Sequence, residues 1–253
     1  MNWHGVKAIY TFEMARARRT LWQSLVAPVI TTSLYFLVFG TAIGNRMSSM
    51  SGVEFGSFIV PGLIMLSVLT QSIMNASFGI FFPKFTGTIY ETLSAPITAF
   101  ETTLAYVGAA VTKSVILALV TLATAAVLVD VRIDHPVLML LSLIAISTGF
   151  SLLGFAIGIW AKNFEQLQVV PMLVVTPLTF LGGIFYSVEA LGEPWRTVTH
   201  LNPILYLVSG FRWTFFSTSD VPLGAAVAVM AGAILIPLAV IAWIFRTGYR
   251  LKQ

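Results

Sequence analysis

The sequence predicts an all-α integral membrane protein with six transmembrane helices, and three observations carry that class. Of the 253 residues, 57% are hydrophobic and only 9% are charged, whereas a soluble globular chain carries roughly 25% charged residues. Too little polar surface exists to cover a core in water. The charges also cluster between long neutral stretches, each exceeding the roughly 20 residues needed to cross a hydrocarbon layer of about 30 Å. Cysteine is absent, which excludes disulfides and thiolate metal sites.

The spans follow in order from the distance between charges. Residues 20–45 hold no charge and predict a first span over 21–45; residues 55–83 predict a second over 57–82. Between Glu101 and Asp130 only Lys113 interrupts a third span, 103–129. The neutral stretches after His135, Glu165 and Asp220 predict spans at 136–161, 166–188 and 222–245. The apolar stretch between Arg196 and Arg212 is broken by His200 and Asn202-Pro203. It is too short to cross, so residues 190–219 are expected as an external re-entrant region. Residues 2–20 place Trp3, Val6, Tyr10, Met14 and Leu21 at helical spacing among Lys7, Glu13, Arg16, Arg18 and Arg19. That pattern suits an interfacial helix on the cytoplasmic leaflet, serving as a basic anchor or touching a cytoplasmic partner. No cleavable signal peptide is expected, because the first apolar run is too long for one. The whole chain reads as a single membrane domain.

Orientation follows from the bases. Six spans put both termini on one side, with Lys7, Arg16, Arg18, Arg19, Lys84, Lys162, Arg246, Arg250 and Lys252; the other side has Arg46, Arg132, Arg196 and Arg212. Nine against four predicts cytoplasmic termini by the positive-inside rule. Lys113 falls inside span three, where it snorkels or faces a wet interior. The net charge of +4 is thus topological, and no nucleic-acid partner is expected.

Three groups of residues go beyond the class. In the loop 84–98, between Pro83 and Pro96, a short helix would align Phe85, Ile89 and Leu93 at four-residue steps. An apolar stripe there needs lipid, the helix ends of the same chain, or the groove of a separate protein. After span five, Leu181-Gly182-Gly183-Ile184-Phe185-Tyr186 and then Leu201-Asn202-Pro203-Ile204-Leu205-Tyr206, ending at Arg212, mix helix breakers, aromatics and charge. Irregular backbone at membrane depth must be buried in protein or line a wet cavity, so this region either shapes an external vestibule or only folds back on the outer face. Within the spans, Ser67, Gln71 and Asn75 lie four apart and make one side of span two polar, for a passage or a neighbouring helix. Gly154 and Gly158 are a small-xxx-small packing pair, and Pro171 and Pro177 are expected to bend span five.

Absences narrow the chemistry. None of the lysines follows a glycine, so the phosphate-cradling G-x-x-x-x-G-K-[ST] loop is missing and the chain is not expected to hydrolyse ATP. His4, His135 and His200 form no metal-binding pair, and no G-x-S-x-G elbow occurs. No catalytic residue, metal or cofactor is expected on this chain. An ion-coupled secondary transporter is the alternative reading, but such carriers commonly need a carboxylate at bilayer depth, and the spans hold none.

The motifs resemble those of the ABC-2 family of permeases, the membrane subunits of bacterial exporters for drugs, lipo-oligosaccharides and polysaccharides. Phe58-Ile59-Val60-Pro61-Gly62 resembles the family's Phe-x-x-Pro-Gly, and Glu91-Thr92-Leu93-Ser94-Ala95-Pro96 its Glu-x-Leu-x-x-Pro. Leu181-Gly182-Gly183, then Asn202-Pro203-Ile204-Leu205-Tyr206 and Arg212, resembles the family signature in order and spacing. The resemblance implies two permease copies, as a homodimer, and two cytoplasmic ATPase subunits that bind the ATP and magnesium, with no cofactor on this chain. It implies a multi-pass protein of the bacterial cytoplasmic (inner) membrane. It further implies that residues 84–95 are a coupling helix, with Phe85, Ile89, Glu91 and Leu93 contacting the ATPase. Spans two and five would line the substrate path at the dimer interface through Gln71, Asn75, Thr176 and Thr179. Asn202, Pro203, Tyr206 and Arg212 would form an external gate.

Overall fold

The computed structural model describes residues 1–43, 49–50 and 52–249. Arg46, Arg250 and Lys252, counted above for orientation, lie outside the described residues. The backbone is mostly helical, as hydrocarbon demands, because N–H and C=O groups without water must pair within their own segment. Helix α1 (Trp3–Arg19) precedes α2 (Leu21–Tyr35), which continues as a π-helical stretch over Phe36–Ile43. The short antiparallel pair β1 (Ser49–Met50) and β2 (Val53–Glu54), with Met50 opposite Val53, leads into α3 (Phe55–Thr86). Next come α4 (Ile89–Ser94), α5 (Ala99–Leu128) and α6 (Pro136–Trp160). A broken rod of α7 (Phe164–Val170), a π turn at Pro171–Val175 and α8 (Thr176–Phe180) follows. The chain ends through a 3-10 turn at Val188–Ala190, α9 (Trp195–His200), α10 (Pro203–Phe216) and α11 (Leu223–Thr247).

Four helices, α3, α5, α6 and α11, are long and apolar enough to cross a membrane, and they fall on expected spans two, three, four and six. The other two expected spans contain shorter apolar helices, Val26–Phe39 and Phe164–Phe180. Proline explains the second interruption. Without an N–H of its own, Pro171 opens a wider turn, in which the Thr176 N–H reaches back to the Pro171 carbonyl.

Helix α3 lies at the centre and is buried along most of its length. Its closest neighbour is α6, and the glycines expected as a packing pair permit that approach: a Cβ on Gly154 or Gly158 would overlap the backbone of Ile73 or Ser77. At Gly149 a Cβ would stand 2.8 Å from the Ala233 carbonyl oxygen of α11. Ile89, Tyr106, Phe155, Ile159 and Ile244, with Ile9 against them, gather α1, α4 and the end of α11 at one end of the bundle. Lys84 ties the same end together by donating to the carbonyls of Ile159 at 2.6 Å and Ala161 at 3.1 Å, where a cation meets the negative C-terminus of α6. At the opposite end Ser57 donates to the Asp130 carbonyl at 2.7 Å, and the N–H groups of Asp134 and His135 donate to the carbonyls of Phe215 and Thr214. Arg132 and Ser217 also donate to the Asp134 carboxylate and hold it below the usual carboxylate range.

Two expectations change. The N-terminal segment is helical, but α1 runs along the first half of α5. Asn2 donates to Glu101, Tyr10 pairs with Thr112 at 3.0 Å, and Glu13 meets Lys113. Trp3, assigned to the apolar face, is 62% exposed, whereas Glu13, assigned to the polar face, is buried at 1%. The partner waiting on α5 decides the inward face. Nor is the loop helix continuous over 84–95. Gly87 takes φ +81°, a left-handed turn that glycine adopts at no steric cost, so α3 stops at Thr86 and α4 starts at Ile89. Phe85 therefore sits on the last turn of α3, 60% exposed, while Ile89 turns into the bundle and is only 4% exposed. Of the three alternatives for that stripe, Ile89 takes the helix ends of its own chain. The Leu93 side chain lies outside the described residues, and Glu91 is exposed.

Candidate functional site

The polar side of α3 opens on a cavity of about 810 Å³ bounded by α1, α2, α3 and α5. Ser67, Gln71 and Asn75, spaced four apart as the sequence shows, all line it. Facing them are Thr31, Thr32 and Tyr35 from α2, with Leu63, Leu66, Ile116 and Leu117 supplying apolar wall. Amides and hydroxyls among aliphatic side chains suit an amphipathic guest, because each polar group left unpaired in a dry wall costs about 1–3 kcal/mol.

Thr176 and Thr179, expected along the same substrate path at a dimer interface, do not line this cavity of the single chain. Thr176 donates to the Pro171 carbonyl at 2.9 Å, and Thr179, fully buried, donates to Val175. Both hydroxyls are turned back onto their own helix, the local alternative that threonine always has in a helix.

One side of the cavity is charged. Arg16 and Arg18 of α1 and Lys113 of α5 line it. The Glu13 Oε2 atom accepts from Arg16 Nη2 at 2.7 Å and from Lys113 Nζ at 3.0 Å, and the Arg16 guanidinium lies 5.3 Å from the Phe78 ring centre. Lys113 is therefore paired with an acid from outside the spans. Sequence reasoning named both residues without joining them. The available signal was a lone lysine in an otherwise neutral span and, 100 residues before it in the chain, a helix carrying Glu13 and Arg16 at i, i+3.

The motifs after span five converge at the opposite end. Arg212, 2% exposed, approaches Asp220 at 3.3 Å, donates through Nη2 to the Gly183 carbonyl, and stacks 4.0 Å from the Phe58 ring centre. Gly183 has φ +78°, which turns its carbonyl at the end of the broken rod toward the guanidinium. A Cβ on Gly62 would stand 2.7 Å from the Ile184 carbonyl oxygen, so only glycine lets α3 come this close. Asn202 caps α10 by accepting from Ile204 N–H at 3.0 Å and donates to the Leu178 carbonyl at 2.6 Å. Pro203 occupies the first turn of α10, where its missing N–H costs nothing. Tyr206 donates to the His200 carbonyl at 3.0 Å. Phe-x-x-Pro-Gly, Leu-Gly-Gly and Asn-Pro-Ile-Leu-Tyr with its arginine thus form one contact region around Arg212, with Asn202, Pro203 and Tyr206 fixing the entry of α10.

Long apolar helices around a cavity lined with amides, hydroxyls and charge describe a membrane transport protein. The chain belongs to the ABC-2 type transporter family, which matches residues 4–216, in agreement with the resemblance drawn from the motifs. It is 40% identical over 230 residues to the inner membrane transport permease YadH of Escherichia coli (strain K12), covering 91% of this chain and 90% of that one. Nodulation protein J of Neorhizobium galegae is 21% identical over 213 residues, covering 84% and 80% respectively. Nodulation protein J of Rhizobium meliloti (strain 1021) is 21% identical over 242 residues, covering 93% and 90%.

Proposed function

We propose that this chain is the transmembrane permease of an ATP-driven exporter in the bacterial inner membrane, working as a homodimer with two copies of a separate cytoplasmic ATPase. The reading carries six spans and cytoplasmic termini, with the interrupted helices of expected spans one and five crossing beside the four longer ones. What supports it most is the pairing of two features in one bundle: a polar cavity on α3 and, beyond it, a closed contact region built from the three family motifs around Arg212. The permease name of the Escherichia coli relative supports the same activity.

In this mechanism the ATPase binds ATP with magnesium and closes, pulling on the 84–95 segment. Phe85, Tyr90 and Glu91 are exposed there and offer the docking surface, and Ile89 anchors α4 to the bundle so that the pull reaches α3 and α5. The guest enters the cavity past Gln71 and Asn75 and leaves when the region of Asn202, Pro203, Tyr206 and Arg212 parts. Thr176 and Thr179, bonded to their own helix, shape the rod that moves.

One observation favours an ion-coupled secondary transporter instead, namely the buried carboxylate of Glu13. Its double pairing with Arg16 and Lys113 gives it a structural role instead, joining α1 to α5. Transport in inverted vesicles separates the two. ATP-driven uptake insensitive to ionophores supports the exporter, and uptake that needs an ion gradient but no ATP refutes it.

A further inference from the structure

The charged side of the cavity sets three cations against one carboxylate. Three cations, Arg16, Arg18 and Lys113, line the space, and the carboxylate that answers them, Glu13, gives the same oxygen to two of them. Arg16 Nη1 is buried without a hydrogen-bond partner, and so is Glu13 Oε1, so the carboxylate leaves that donor open. A buried donor in that state costs about 1–3 kcal/mol, and its plainest use is to meet an acceptor that comes and goes. The rest of the wall is a neutral path of hydroxyls, amides and aliphatic side chains along α2 and α3, with neither acid nor base. A volume of about 810 Å³ holds a headgroup with part of an alkyl chain, within the roughly 300–1,000 Å³ of ordinary ligand sites.

We infer that the cavity binds an anionic amphiphile, with its phosphate or carboxylate on Arg16, Arg18 and Lys113 and its alkyl chain along Leu63, Leu66 and Leu117. This rests on the permease reading and adds the chemical class of the guest. Glu13 is a resident counter-ion rather than a ligand. It holds Lys113 in place while the cavity is empty, and it competes with the incoming headgroup for the same two cations. The charge therefore selects the guest's head, and the apolar wall selects a molecule that has a tail.

The test uses the full complex in phosphatidylcholine nanodiscs and a diazirine-bearing dodecyl phosphate, with labelled peptides read by mass spectrometry. Label should fall on the α2 and α3 segments around residues 27–35 and 63–78. Unlabelled dodecyl phosphate should compete at least tenfold better than dodecylphosphocholine, and inorganic phosphate should not compete. Lys113→Gln and Arg18→Gln should each weaken competition about tenfold, equivalent to about 1.4 kcal/mol. Glu13→Gln should strengthen it severalfold. Arg18 lies on the exposed last turn of α1, so its variant reports on binding even if Lys113→Gln assembles poorly. If ATP lowers the label, the occupant is exported cargo; if ATP leaves it unchanged, the occupant is a resident anionic lipid, and both support the site. Equal competition by the zwitterion, labelling elsewhere, or binding indifferent to both cation variants overturns the proposal. These outcomes concern binding alone, so they stay distinct from failure of the exporter reading, which appears as transport without ATP.

Discussion

Replacing Arg212 with alanine should cost the protein about 4 kcal/mol, and the figure follows from what the side chain leaves behind. Arg212 is 2% exposed and is held by Asp220 at 3.3 Å, by the Gly183 carbonyl and by the Phe58 ring. Breaking a buried ion pair from one side costs about 3–5 kcal/mol. Asp220 limits this, because its side chain is 11% exposed and keeps a 2.7 Å bond from Ser187. The orphaned Gly183 carbonyl adds about 1–3 kcal/mol, and the lost ring contact about 0.5–2 kcal/mol. Since the terms overlap, the sum is nearer the middle of these ranges than their total. The assay is unfolding of the purified protein in mixed micelles by increasing fractions of denaturing detergent, with transport measured on the same variants. Arg212→Lys should recover less than half, because a single ammonium cannot bond both the carboxylate and the carbonyl while stacking on Phe58. Adding Asp220→Asn to Arg212→Ala should regain part of the loss by removing the stranded charge. A cost under about 1 kcal/mol, or full rescue by lysine, would refute the view that this guanidinium organises the region.

Four further outcomes follow from the same geometry. Gly154→Leu drives a side chain into the backbone of Ile73 and should cut membrane abundance sharply, since overpacking costs about 1–3 kcal/mol even without a backbone clash; an abundant, active variant would contradict the α3–α6 contact. Phe85→Asp and Ile89→Asp should differ in kind. The first, on an exposed ring, should leave insertion intact and weaken ATPase binding tenfold or more in a pull-down, whereas the second buries a charge inside the bundle and should lower abundance itself. Glu13→Ala strands Lys113 and Arg16 and should loosen α1 from α5, read as lost disulfide trapping between cysteines placed at Tyr10 and Thr112; unchanged trapping would argue that α1 holds by other contacts. Gln71→Leu should slow transport severalfold with abundance unchanged, and Thr176→Val should have little effect, because its hydroxyl serves its own helix.

Much of this architecture is legible from the chain alone, for reasons that particular residues make plain. Long neutral stretches found α3, α5, α6 and α11, because a hydrocarbon solvent leaves no other place for them. The four-residue spacing of Ser67, Gln71 and Asn75 found the cavity wall, and the order of Gly183 and Arg212 found two residues that do meet. Helical periodicity fails where a neighbour decides the face. Nothing along 2–20 says that Glu13 points inward, because the cause is Lys113, a hundred residues away on α5. The same holds for Ile89, whose burial depends on Tyr106 and Ile244. Thr176 and Thr179 show another limit, since composition cannot tell a hydroxyl aimed at a path from one bonded to the preceding turn. Gly87 was readable in principle: a glycine just past an apolar helical run is a common helix stop, and it divides the stretch that a four-residue stripe had joined.

The claim that the chain works as the permease of an ATP-driven exporter is tested most directly by purifying it, tagged, from its native membrane and asking what comes with it. The account predicts an ATPase carrying a phosphate-binding loop in equal amount, ATP hydrolysis by the purified complex, and loss of that subunit in the well-inserted Phe85→Asp variant. A chain that purifies without any ATPase, and whose transport survives ATP depletion but collapses with the ion gradient, would contradict it.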